Sequence, residues 1–283
     1  RFATADDAVS LLSRELAGGR YTAEDRLAAS YGMLEIPLGR RVRLITGARL
    51  EHAATTILAE NNLGQPTIAE PEYTDLLPAA LLNIDLTERQ KVRLSATRTL
   101  ARPEYRELAP VTYREVLGGE QVIGNAELRR TRIDNYDVRW EFYPGPGETV
   151  SLALFGKRFT DPIEERFLAR SGTDTRTFEN AERAGNYGLE AEVVTGLRRI
   201  GDALADFSAF ANATWMGSEV TTRNEQDEPR PMVGQAPYVI NAGVTYSRSG
   251  DGVSATILFD QVGTRIVNAR ASGTQVDYLV EEP

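Results

Sequence analysis

Polar and apolar side chains alternate one by one from Asn135 to Phe142, and the alternation stops at the turn sequence PGPG, residues 144–147. Tyr136, Val138 and Trp140 fall on one face with Phe142, and charged or amide side chains fall on the other. A period of two is the repeat of a β-strand, whose successive side chains point to opposite sides. The stretch therefore predicts a strand with one apolar face and one charged face, ended by a tight turn.

The same period recurs along most of the chain and predicts about ten strands. The clearest cover residues 42–51, 91–97, 135–142, 186–193 and 238–246, and weaker ones cover 26–36, 77–84, 149–159, 206–219 and 253–262. Most are near the length of about ten residues that a tilted strand needs to cross a membrane. Helix-like spacing is confined to residues 5–17, which predict one short amphipathic helix or part of a loop.

Connections of two kinds separate these strands. Short turns near 37–40, 85–90, 144–148 and 247–252, with a somewhat longer one near 195–205, alternate with long connections near 53–76, 100–132, 160–183 and 220–236. Strict alternation of short turns and long loops is typical of an up-and-down antiparallel β-barrel in an outer membrane. The predicted fold class is therefore all-β, and the alternation favours a transmembrane antiparallel up-and-down barrel.

The period alone fits two folds, which differ in the face that meets water. In a soluble secreted β-sandwich that acts as a binding module, the apolar face is core; in a barrel it faces lipid. Under the barrel reading, the lumen-facing residues are Arg43, Arg49, Glu51, Arg93, Asp137, Arg139, Glu141, Glu190 and Glu192. The lipid-facing residues are Val42, Leu44, Tyr136, Val138, Trp140, Phe142, Tyr187, Leu189, Ile240 and Val244.

Composition excludes several kinds of chemistry. The chain has no Cys and one His, His52, which removes thiol catalysis, Cys-based zinc sites and multi-His metal sites. Its net charge of -9 argues against nucleic acid as a partner. Glu104, Glu107 and Glu115 lack a nearby nucleophile and fit loop charges better than an acid/base set. We predict no enzyme activity, no cofactor and no metal.

Five segments, in order, carry a family resemblance. They are TLARPEYRELAP (99–110), GNAELRRTRIDNYDVRWEFYPGPGE (124–148), FGKRFTDPIE (155–164), NAERAGNYGLEAEV (180–193) and GQAPYVINAGVTY (234–246). Each resembles a segment of TonB-dependent outer-membrane receptors, with Ala126 standing where the family more often has Pro.

The resemblance implies active uptake of a scarce ligand across the outer membrane of a Gram-negative bacterium. The family barrel has 22 strands and an N-terminal plug, and TonB supplies the energy. Residues 1–283 are then expected to form about ten strands of one barrel domain, with the plug, the TonB-contacting region and the final strands outside this sequence. Implied partners are outer-membrane lipid, the TonB complex and a small-molecule or oligosaccharide ligand. A passive porin is the alternative within the same fold.

Ligand contacts in such a receptor are expected from the long loops and from lumen-facing strand ends. The candidates are Arg102, Glu104, Tyr105 and Arg106 after the fourth strand, with Asp161 and Glu164 after the sixth. For Arg102 and Glu104 the alternative is an ion pair that pins the loop, with Pro103 fixing the backbone. Siderophore, cobalamin and oligosaccharide ligands all stay open.

Overall fold

The computed structural model describes residues 20–60, 64–114, 121–170, 173–223, 229–248, 252–266 and 279–280, and these are almost entirely β-strands. The first eight strands are β1 (Tyr21–Pro37), β2 (Val42–Glu60), β3 (Pro66–Ala69), β4 (Glu72–Asp85), β5 (Gln90–Ala101), β6 (Thr112–Arg114), β7 (Gln121–Ile123) and β8 (Thr131–Phe142). The remaining strands are β9 (Thr149–Thr160), β10 (Ile163–Arg170), β11 (Thr173–Asn180), β12 (Arg183–Gly196), β13 (Phe207–Thr221), β14 (Tyr238–Ser247), β15 (Ser254–Val262), β16 (Arg265–Ile266) and β17 (Leu279–Val280). One helix, α1 (Tyr105–Leu108), follows β5, and 3-10 turns occupy Leu197–Arg199 and Asp202–Leu204.

Ten strands pair in the order β1-β2-β4-β5-β8-β9-β12-β13-β14-β15, and we call this sheet the wall. All of its pairs are antiparallel, and β3 adds to one side of β2. Each predicted strand corresponds to one of these ten, and the predicted antiparallel up-and-down order is confirmed. Tight connections at 38–41, 86–89 and 143–148 mark one end of the wall, the short-turn end, and the longer connections mark the loop end.

The register aligns apolar residues into rows that cross the wall. One row, on what we call the outward face, contains Leu44, Leu82, Leu94, Val138, Leu154, Leu189 and Trp215. Val138, Leu154 and Trp215 are all about half exposed, at 45%, 59% and 48%. A contiguous apolar surface of this extent on a folded sheet marks a face that meets something other than water.

The opposite face, which we call the inner face, is charged and its charges are paired across strands. Arg93 of β5 donates to Glu141 of β8 at 3.1 Å, and Arg139 of β8 donates to Glu192 of β12 at 2.8 Å. Ser95 donates to the carboxylate of Asp137 at 3.0 Å. Such cross-strand pairs satisfy the charged groups, including Glu141, which is only 7% exposed, and they also favour one register.

A second, smaller unit stands at the loop end, and we call it the loop assembly. It is the four-stranded sheet β10-β11-β7-β6 together with α1. Its apolar side chains pack against the inner face of β2, near the loop end of that strand. The shared core comprises Ile57, Ala59, Ala69, Leu108, Ala109, Val111, Val122, Leu128 and Phe178. The loop assembly therefore lies over the inner face of the wall and leaves the outward face uncovered.

One predicted connection was too long. The connection near 53–76 is shorter, because β2 continues to Glu60 and β4 begins at Glu72. The long connection predicted near 160–183 is confirmed, since β9 ends at Thr160 and β12 begins at Arg183, and most of it is the hairpin of β10 and β11. The short helix considered at residues 5–17 lies outside the described residues. Within the described ranges, no helix has the length and apolar character needed to cross a membrane.

Candidate functional site

A cavity of about 470 Å³ opens at the loop end of the wall, between the start of β1, the second half of β2 and the segment that leads into α1. Its lining is Tyr21, Asp25, Thr55, Arg102, Pro103, Glu104, Tyr105 and Arg106. The structure thus brings four of the six predicted ligand residues together along one cavity. The other two, Asp161 and Glu164, are not part of this lining.

Arg102 anchors the cavity to the wall. Its Nη2 donates to Oε2 of Glu51 at 2.5 Å, and Arg49 donates to the other oxygen of the same carboxylate, also at 2.5 Å. Arg102 therefore pins the loop through Glu51 and not through Glu104. Glu51 is only 8% exposed, and its two charge-assisted hydrogen bonds offset the cost of burying the carboxylate. Nε of Arg102 is buried with no protein partner among the described residues.

The helix α1 holds the next three cavity residues. The carboxylate of Glu107 accepts a hydrogen bond from the backbone N–H of Glu104 at 2.8 Å, which closes the first turn. Gly124 lies against the end of this turn, where a Cβ would come within 2.1 Å of the Ala109 carbonyl oxygen. Only glycine permits that approach. The close contact fixes the orientation of α1 over the sheet.

Tyr105 and Arg106 are exposed residues of α1 whose polar groups line the cavity. The Tyr105 side chain is 43% exposed. The guanidinium of Arg106 lies 5.8 Å from the centre of the Tyr113 ring, a cation–π contact, and Arg106 is exposed to solvent. On the facing wall, Thr55 donates to Asp25 at 2.6 Å. The cavity therefore offers guanidinium and phenol donors on one side and a carboxylate on the other.

Asp161 acts as a junction between loops. Its backbone has φ of 55°, and its carbonyl accepts hydrogen bonds from Thr131 Oγ1 at 3.0 Å and from Asn180 Nδ2 at 2.8 Å. Its carboxylate pairs with Arg223, which follows β13. Asn180 also bonds both the N–H and the carbonyl of Arg129, at 2.7 and 2.8 Å. These contacts tie together the connections that follow β5, β9 and β13.

Glu164 is buried in the same region. It is 8% exposed and accepts a hydrogen bond from Arg230 at 2.9 Å. Burial raises the pKa of the Glu164 carboxyl above its ordinary range, although the Arg230 charge opposes the shift. Burial likewise raises the pKa of Glu107. The contacts of Asp161 and Glu164 are those of residues that hold loops together.

Sequence reasoning missed the wall side of the cavity. Tyr21 and Asp25 precede the predicted start of the first strand, and Thr55 lies beyond the predicted end of the second. It also missed the return anchor of the loop, where Arg130 pairs with Asp75 at 2.5 Å and lies 4.4 Å from the Tyr73 ring centre. The one available signal was position, since each of these residues stands in a segment just beyond a predicted strand end.

The predicted lumen and lipid residues separate by face. Arg43, Arg49 and Glu51 alternate with Val42 and Leu44 along β2. The register continues the inner set through Arg93, Asp137, Arg139, Glu141, Glu190 and Glu192, and the outward set through Tyr136, Val138, Trp140, Phe142, Tyr187, Leu189, Ile240 and Val244. The structure describes no group of three or more His, Cys, Asp or Glu side chains that would hold a metal ion. The arrangement is suited to binding a small polar ligand at the loop end.

Comparison with known proteins gives a consistent result. A family model described as TonB dependent receptor-like, beta-barrel, matches residues 4–279. No curated protein matched the chain. Among solved structures, the chain is similar to the unliganded ferric citrate transporter FecA, with a TM-score of 0.65 and 14% identity, over 87% of this chain and 33% of that one.

Two further solved structures show the same likeness of fold. The copper transporter OprC has a TM-score of 0.63 and 17% identity, over 86% of this chain and 35% of that one. The ferric yersiniabactin uptake receptor FyuA from Yersinia pestis has a TM-score of 0.60 and 17% identity, over 88% and 36%. The chain thus spans about a third of the length of each of these structures.

Proposed function

This chain belongs to the TonB-dependent receptor β-barrel family, and we propose that it forms part of a receptor that takes up a scarce ligand with energy supplied through TonB. Members of this family lie in the outer membrane of Gram-negative bacteria, which places the wall there. The wall is accordingly one section of an antiparallel transmembrane barrel, whose closure satisfies every backbone hydrogen bond within the lipid.

The two faces of the wall support this placement. Outward aromatic residues stand near both ends of the apolar rows, with Tyr136 and Tyr187 toward the loop end and Trp140 and Phe142 toward the short-turn end. The Trp140 and Phe142 rings stack at 6.2 Å, and the indole N–H donates to Gln90. Aromatic girdles at the two interfaces are typical of outer-membrane barrels. We take the loop end as the extracellular end.

We assign the ligand site to the cavity at the loop end. Arg102 and Glu51 fix its floor to the wall, while Tyr105 and Arg106 face its opening. An arginine fork and a phenol recognise carboxylate or phenolate oxygens, so we propose a small ligand that bears such groups. Siderophores fit this description best. Cobalamin and oligosaccharides are the other classes that the same wall accommodates.

The proposed role is binding and transport, without catalysis and without a resident cofactor. Energy coupling to TonB is assigned to a region outside this sequence, together with a plug that occludes the lumen. The charged inner face would line that lumen, with Arg139 and Glu192 among the paired charges that a plug would meet. A passive porin would share the wall but lack the plug and the dependence on TonB.

Ligand uptake in a deletion strain tests this function. We expect the strain to lose growth on one chelated iron source or one scarce nutrient, and to recover it with the intact gene only when TonB is present. The double substitution Arg106→Gln with Tyr105→Phe is expected to lower uptake at limiting ligand by about tenfold or more. Arg89→Gln, in a short turn, is the matched control. Full uptake by the double variant would show that this cavity is not the ligand site. Uptake without TonB would favour the porin.

A further inference from the structure

Three arginines stand on the outward face at the loop end of the wall, just beyond Tyr136 and Tyr187, which lie in one register row that we call the tyrosine row. They are Arg132 of β8, Arg158 of β9 and Arg183 of β12, and all are exposed. The pairing register sets Arg132 and Arg183 both opposite Thr160, and sets Arg158 between Asp134 of β8 and Gly185 of β12. The three side chains therefore surround one spot, on three adjacent strands.

These arginines differ from their neighbour Arg98, which lies in the same region of the face. Arg98 donates to Asp134 at 2.7 Å, so the charge of that aspartate is already matched. Within the part of the chain that the structure describes, none of the three makes an ion pair or a side-chain hydrogen bond. Arg40 and Arg89 of the short turns are likewise exposed and outside any described ion pair. Arg132, Arg158 and Arg183 differ from them because they stand close together, on three adjacent strands of the outward face.

A groove of about 310 Å³ lies at this place. Its lining is Arg158, Arg183, Ala184, Gly185, Tyr187, Glu219 and Thr221. Gly185 has no atom within 4 Å of the place where a Cβ would stand, so the floor is open. Glu219 is the one acid of the lining, which leaves the groove and the adjacent Arg132 with an excess of positive charge.

The lining of the groove belongs to the strands β9, β12 and β13, with no described loop residue over it. On the inner face of the same strands, Ala184 and Val220 are buried, and Phe159 and Met232 pack against them. Met232, which comes after β13 in the chain, therefore lies on the inner face. On the outward side, Tyr187 directly below the groove is 66% exposed, and the apolar row of Leu154 and Leu189 continues beneath it.

Toward the loop end, the outward face thus presents apolar rows, then the tyrosine row, then arginines without described ion pairs. A membrane lipid has the same order of acyl chains, interfacial region and charged headgroup. We propose that Arg132, Arg158 and Arg183 bind the phosphate groups of a lipid in the outer leaflet, with its acyl chains along the outward face. Guanidinium groups bind phosphate through paired N–H donors and are weakly hydrated. The inference rests on the placement of the wall in the outer membrane and is independent of the transported ligand.

Lipid binding by the intact protein in detergent tests the proposal. The test variant carries Arg132→Gln, Arg158→Gln and Arg183→Gln. The control carries Arg40→Gln, Arg41→Gln and Arg89→Gln, which removes the same charge from exposed arginines of the short turns. The probes are a diphosphorylated glycolipid, the same glycolipid without its phosphates, and inorganic phosphate. Native mass spectrometry counts the bound lipid.

We expect the wild type and the control to bind the diphosphorylated glycolipid, and the test variant to bind it about tenfold or more weakly. The dephosphorylated glycolipid should not distinguish the three proteins. Equal binding by the test variant and the control would overturn the proposal. Displacement of the glycolipid by an equal concentration of inorganic phosphate would also overturn it, since the site would then serve a free anion.

The same samples separate this proposal from the proposed function. A heat-dependent gel shift of the wild type reports a folded barrel, and its absence would remove the placement of the wall on which both proposals rest. Retained uptake in the test variant, with lipid binding lost, would support the lipid site while leaving the transported ligand's site intact.

Discussion

The wall and the loop assembly are both β-sheets, but they are held together by different forces. The wall repeats one local rule, in which apolar outward residues and paired inner charges alternate along each strand. The loop assembly has no such alternation and depends on contacts between residues far apart in the chain, such as Arg230 with Glu164 and Asn125 with the Phe178 carbonyl. A sheet of the first kind tolerates loss of one contact, whereas one of the second kind depends on a few.

The position of each unit explains this difference. The outward face contributes stability through its apolar rows only if lipid covers it, and the inner charges are satisfied by one another across neighbouring strands. The loop assembly is covered on one side by the wall, so its charged groups lose water and need partners. Substitutions should therefore affect the two units independently and by different mechanisms.

The largest effect is expected where the loop assembly loses a buried partner. Arg230→Ala leaves the Glu164 carboxylate buried and alone, and the local free energy of unfolding should fall by about 3–5 kcal/mol. Hydrogen exchange of β10 and β11 measures that loss. The double variant Arg230→Met with Glu164→Leu is the control, and it should restore most of the protection. If exchange accelerated equally throughout the wall, the two units would not be independent.

A charge on the outward face should give the next largest effect, this time in the wall. Val138→Arg puts a cation into lipid and should destabilise the barrel by about 2–4 kcal/mol at the bilayer midplane. Asp137→Arg, one residue away on the inner face, loses one hydrogen bond from Ser95 and should cost about 1 kcal/mol. Equilibrium unfolding in lipid vesicles measures both. Equal costs for the two would remove the distinction between the faces.

The smallest effect concerns the short-turn end and depends on pH. Hydrogen bonds from Arg199 hold the pKa of Glu148 at about 2, below its ordinary value, with help from the Gly196 N–H and Thr195. Because the folded pKa is lowered, the stabilisation is complete above the ordinary carboxyl pKa and is lost as the pH falls toward 2. The stability difference between wild type and Glu148→Gln should shrink over that interval. A difference independent of pH would assign the effect to packing.

The wall could be predicted from the sequence because its rule is local. Predicted and observed strands agree closely where the two faces differ most, as in 135–142 against Thr131–Phe142. The prediction for β2 stopped at residue 51 because the pattern blurs there. Ile57 and Ala59 of the inner face are apolar, since the loop assembly covers them. The alternation of apolar and polar residues depends on which face is buried. In this half of β2 the second face is buried by a segment distant in the sequence, so the alternation is lost.

The loop assembly could not be predicted for the same reason. Along β10, charged residues fall on both faces, and Arg166 finds Glu179 while Glu165 finds Arg176 across the hairpin. The alternation of polar and apolar residues cannot reveal such pairs, because both members of each pair are charged. The family resemblance identified the right segments, and four of the predicted ligand residues do line one cavity. It did not reveal Tyr21, Asp25 and Thr55, which complete the cavity only after β1 and β2 pair.

The orientation of the wall's two faces is the central claim, and spin labels along β8 test it most directly. The chain has no native Cys, so single Cys substitutions at 136, 137, 138, 139 and 140 report without background from this sequence. In lipid vesicles, we predict that labels at 136, 138 and 140 collide mainly with oxygen, and that labels at 137 and 139 do not. Labels at 138 and 140 shielded from oxygen and from water-soluble nickel chelate alike would show a protein core on that face, and would contradict the account.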